Sequence, residues 1–84
     1  MDDASIDLGQ SSNVKQRIEK DIKLFYNSLS KLEKIRDAKS LKIIELAKKY
    51  ALDSKSFMDK GDYYTSFSCI SYAHGLLDAI LFEE

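Results

Sequence analysis

His74 and Asp78 are the pair in this chain best placed to do chemistry. Four residues apart, they fall on adjacent turns of one face if the segment is helical, close enough for the carboxylate to orient the imidazole. A histidine held this way is half of many general-base and metal sites. Asp62 and Tyr63, at the start of the same segment, are the further candidates for a polar pocket, with Tyr50 or Asp53 facing it from a neighbouring element. The packing reading is the stronger one. His74 is the only histidine and lies inside an apolar row, where such a ring usually packs and finds its partner in Asp78 or a backbone carbonyl. Catalysis would need a second acid, base or nucleophile, and no spacing identifies one.

Metal binding is weaker still. Cys69, the only cysteine, precedes His74 by five residues, about 140° around a helix of 3.6 residues per turn, so the two point apart. His74 and Asp78 supply two ligands where a zinc site needs three or four from protein. No metal and no cofactor are expected.

These residues belong to the run from Gly61 to Phe82, GDYYTSFSCISYAHGLLDAILF, in which Asp78 is the only formal charge after Asp62. A helix apolar almost all round is buried in its own domain or against another subunit. Tyr63, Phe67, Ile70, His74, Leu77 and Leu81 form one row. Ser68, Ser71, Gly75 and Ala79 form a small-residue side, while Cys69, Tyr72, Leu76 and Ile80 are left for a partner.

Two amphipathic helices must position that segment. Val14, Ile18, Ile22, Phe25, Leu29 and Leu32 recur at spacings of three and four, the mark of one apolar helix face, with Asn13 as a capping residue and Gln16 to answer it. The pattern lapses at Arg36 and Lys39, which puts a turn between about Lys34 and Ser40. Leu41, Ile44, Ala47, Ala51, Ser54 and Met58 form the row of the second helix, with Ile43, Leu46, Tyr50 and Phe57 beside it. Gly61 closes this helix and Asp62 caps the next. A connection this short returns the third helix antiparallel to the second.

Composition agrees with an all-α chain. The 84 residues are 44% hydrophobic, with no proline and three glycines, which favours long helices over a turn-rich β fold. A domain this small buries only about 60–65% of its unfolded surface, so self-association would help it. No disulfide can form within a chain with one cysteine, and no leader or apolar run of about 18 residues points to export or a membrane; a cytoplasmic protein is expected. All thirteen Lys and Arg lie between Lys15 and Lys60 with only seven acids among them. Lys31, Lys34, Arg36, Lys39 and Lys42 crowd the first turn and could meet phosphates, but Glu33, Asp37 and the slightly acidic whole make nucleic-acid binding the weaker reading against a solvated bundle end.

RIEKDIKLF, LAKKYALDS and KSFMDKGDYYTSFSCISYAHGLLDA together resemble a small archaeal helical family known as domain of unknown function 357. Tyr50, Asp53, Ser54, Phe57, Gly61, Asp62, Phe67, Tyr72, His74, Gly75, Leu77, Asp78 and Ala79 carry the resemblance, over roughly residues 14–82. It implies a compact helical bundle in an archaeal cytoplasm, and no activity. A looser similarity to HEPN-type helical domains stops at their RNase signature, which places an arginine shortly before the histidine. Here SCISYA precedes His74, and the arginines are Arg17 and Arg36.

The chain is thus expected to be an antiparallel three-helix bundle, residues 13–84, behind a short flexible tail, residues 1–12, with helices at about 13–35, 39–60 and 62–82. Its leading function is a non-enzymatic interaction or accessory module that self-associates as a homo-oligomer or docks on a protein partner. The alternatives are a small-molecule or nucleotide pocket around His74 and Asp78, and weak nucleic-acid binding by the turn at 31–42.

Overall fold

The computed structural model describes residues 3–83 as three α-helices: α1 over Asp3–Ser30, α2 over Ala38–Asp59 and α3 over Tyr63–Glu83. The described residues contain no strand, and the helices pack as the expected bundle. The α1 stripe faces inward, with Ile18, Phe25 and Leu32 buried and Ile22 and Leu29 packed against the core. On α2, Ile44, Ala47, Ala51, Ser54 and Met58 are buried. Leu41, in the same row, is partly exposed, because it lies in the first turn of α2 at the end of the bundle.

Both ends of α1 differ from the expectation. The helix is described from Asp3, so Asn13 lies inside it rather than capping it. No proline occurs in the chain, and a cap preference of about 1 kcal/mol does not stop a helix. At the other end α1 stops at Ser30, before the periodicity fails. The Ser30 hydroxyl donates to the Asn27 carbonyl at 2.7 Å, a local bond that competes with helix continuation. The amides of Lys31 and Leu32 then donate to Ser28 and Leu29 in tighter turns. Leu32 keeps its place in the core from outside the helix. Arg36 fastens the connector by donating from Nη1 to the Glu33 and Ile35 carbonyls at 2.7 and 2.9 Å. Asp37, counted above only as an acid among the lysines, is the N-cap of α2: its Oδ2 accepts the Ser40 amide at 2.9 Å.

The second turn forms as its residues demand. Gly61 takes φ +85°, a conformation that a side chain would strain. Its amide donates to Met58 and that of Asp62 to Phe57, the paired bonds that satisfy the last carbonyls of a helix ending this way. Asp62 Oδ1 then accepts the Thr65 amide at 3.2 Å and caps α3.

α3 is the central element, packed most extensively on α2 and less on α1, while α1 and α2 meet least. Its core row is Ser66, Ile70, Ala73, Leu77 and Ile80. Phe67, placed in the inward row by its spacing, is 43% exposed. α3 is therefore not enclosed all round: with α1 and α2 covering adjacent sides, one face is left outward.

Candidate functional site

His74 is half-buried where α3 crosses α1, and its Nε2 lies 2.8 Å from the Asp21 carbonyl. A carbonyl only accepts, so Nε2 carries the proton and donates. The ring also meets Phe25 edge-on, with centroids 5.9 Å apart, and Phe25 is fully buried. The partner of the imidazole is thus a backbone atom of another helix. Asp78, one turn on, is exposed, and no hydrogen bond joins it to His74 among the described residues.

The structure does not gather the four candidate polar residues. Asp62 is engaged as a helix cap, and Tyr63 is half-buried eleven residues before His74, about 17 Å of helix rise away. A cleft of about 390 Å³ between α1 and α2 is lined by Glu19, Ile22, Lys23, Lys55 and Met58. Another, of about 50 Å³, is lined by Lys39, Ser40, Ile43, Ala79 and Ile80. Neither reaches His74, Asp78, Asp62 or Tyr63. Among the described residues no group of three or more His, Cys, Asp or Glu could hold a metal ion.

The four residues left for a partner divide. Ile80 is 3% exposed and belongs to the core, which corrects its place in an outward patch: it follows Leu77 and Ala73 along the face that receives α2. Tyr72 is 52% exposed and packs edge-on to Tyr50, with centroids 4.7 Å apart. Leu76 is packed against the core and Cys69 is half-buried. Burial pushes the Cys69 thiol up, with the charges of Asp53 and Asp62 adding to it, so it is the opposite of an activated nucleophile. Lys31, Lys34, Arg36, Lys39 and Lys42 are all exposed, with the Arg36 guanidinium tied to its own turn.

Two arrangements escaped the sequence reading. Ser54 and Ser66, both fully buried, clasp α2 to α3: Ser54 Oγ donates to the Ser66 carbonyl at 2.8 Å, and Ser66 Oγ to the Ser54 carbonyl at 2.6 Å. Serines on facing core rows were the available signal, since two small residues let the backbones approach within hydroxyl reach. The second is the outward face of α3. Tyr64, Phe67, Ser71, Gly75, Asp78 and Phe82 follow at spacings of 3, 4, 4, 3 and 4, and all are exposed, Tyr64 by 84% and Phe82 by 93%. Gly75 is a mid-helix glycine about 1 kcal/mol less favourable than alanine. A Cβ added there meets nothing within 4 Å, so no contact within the chain calls for it.

A protein-family model described as "Protein of unknown function (DUF357)" matches residues 12–83. No curated protein matches the chain.

Proposed function

The chain belongs to the DUF357 family, and on that premise we propose that it is a non-enzymatic protein-interaction module whose docking surface is the outward face of α3. The exposure of Tyr64 and Phe82 at the two ends of a face with one formal charge carries this reading. Large apolar side chains grouped on a surface mark interaction sites, and aromatic residues are enriched in them. Gly75 supports it from the opposite direction, as a small residue in open space where an approaching backbone would need room. The pocket reading has less behind it, because the Nε2 of His74 is bound to the Asp21 carbonyl. The basic turn is less favoured too, with Arg36 committed to carbonyls of its own loop. The same reading places the module in the cytoplasm, where a thiol such as Cys69 stays reduced.

Hydroxyl-radical footprinting of the intact chain, alone and in extract of its source organism, tests the proposal. Protection of Tyr64 and Phe82 either on concentrating the pure chain from the nanomolar to the millimolar range or on adding the extract, with Tyr26 on α1 unchanged, is the expected result. Labelling of Tyr64 and Phe82 that changes with neither concentration nor extract would sink it.

A further inference from the structure

We propose that the occupant of this face is a second copy of the chain, packed α3 against α3 in antiparallel about a twofold axis between Ser71 and Gly75. The inference rests on the interaction-module reading and names its partner. Reversing α3 about that midpoint brings Tyr64 of one copy opposite Phe82 of the other, Ser71 opposite Gly75, and Ser68 opposite Asp78. The face is therefore matched to itself, as a closed twofold interface requires.

Its shape suits a crossing of two helices. Packed helices approach most closely where they cross and diverge on either side. Small side chains belong at the crossing and large ones at the ends. Ser71 and Gly75 stand at the middle of the face, and Tyr64 and Phe82 at its ends, about 27 Å apart along the helix. The open space around Gly75 is then the place where the second backbone comes near.

Charge favours a copy over a charged partner, and the reversed direction over the parallel one. Asp78 is the only formal charge on the face, so nothing there selects a surface of opposite sign. In the antiparallel pair Asp78 lies opposite the Ser68 hydroxyl, whereas parallel helices would bring the two Asp78 carboxylates to the same height, and their dipoles would oppose the arrangement. The area is sufficient. At about 150–250 Å² per aromatic side chain, the exposed parts of Tyr64, Phe67 and Phe82 offer about 400 Å² per copy, and with the exposed Ser68, Ser71, Gly75 and Asp78 between them two copies reach the roughly 1,000 Å² that an interface must clear.

Sedimentation equilibrium of the intact chain from micromolar to millimolar concentration should show the mass doubling. Gly75→Leu should weaken the dimer about tenfold or more while circular dichroism and the melting curve of the monomer hold, since the added side chain enters open space. Tyr64→Lys, at an almost fully exposed position, should act the same way with no risk to folding. For direction, in a Cys69→Ser background, the double variant Ser68→Cys/Asp78→Cys should cross-link two copies on oxidation, and Ser68→Cys alone should not. A chain that stays monomeric to millimolar concentration, a dimer indifferent to both face variants, or cross-linking by Ser68→Cys alone overturns the proposal. If the pure chain is monomeric yet extract protects Tyr64 and Phe82, the partner is a different protein and the interaction-module reading survives; if neither occurs, both fall.

Discussion

His74 donates its Nε2 proton to the Asp21 carbonyl, and a histidine held in this way acts on stability before anything else. Removing it takes away a partly buried hydrogen bond, about 0.5–1.5 kcal/mol, and the edge contact with Phe25, of similar size. His74→Ala should therefore cost about 2 kcal/mol in urea unfolding, seen as a lower midpoint at unchanged slope. Asp78 provides the contrast. Exposed and unbonded to the ring, it should tolerate Asp78→Ala within about 0.5 kcal/mol. If the two substitutions cost the same, the carboxylate supports the imidazole after all. The periodicity of α3 shows that His74 points inward and must find a polar partner. It does not show which, because the acceptor is a backbone atom 53 residues earlier in the chain and backbone carbonyls leave no trace in side-chain spacing.

At the level of elements, the two turns differ in how openly the sequence declares them. Gly61 and Asp62 announce the α2–α3 turn, since a left-handed residue and a capping carboxylate have few other uses side by side. The α1–α2 connector has no glycine or proline, and Leu32 and Ile35 continue to pack after the helix has ended, so hydrophobic spacing runs past the true boundary. The informative residue was Asp37. Its carboxylate accepts the Ser40 backbone amide and then gains from the Ser40 side chain, which together hold it below the usual carboxylate range. A carboxylate depressed in the folded state stabilises the fold above its unfolded titration range, and that contribution disappears as pH falls through the lower, folded value. Acidification should thus loosen the first turn of α2 only below the range in which an ordinary aspartate titrates. The Ser40 amide resonance followed through an acid titration would report it. A midpoint at or above the ordinary aspartate value would mean that the cap is not formed in solution.

For the whole molecule, the three helices are not held equally. α2 and α3 share a three-residue connection, the Ser54–Ser66 clasp and the most extensive packing in the fold. α1 reaches them through the seven residues Lys31–Asp37, meets α2 least, and is separated from it near Ile22 and Met58 by the 390 Å³ cleft. What docks α1 is chiefly its seam with α3, where the buried Phe25 meets the His74 ring and the Asp21 carbonyl takes the His74 proton. A domain of this size ordinarily unfolds in one step, but segments with fewer buried contacts can open below the global free energy. Native-state hydrogen exchange in low denaturant should accordingly show the amides around Phe25 and Leu29 exchanging through a smaller opening free energy than those around Ala47, Ala51, Ile70 and Leu77. His74→Ala should widen the gap, because it weakens the α1–α3 seam and leaves the clasp untouched. Should every protected amide exchange with one common free energy in both proteins, α1 is as firmly bound as the hairpin, and the cleft beside it has no energetic consequence.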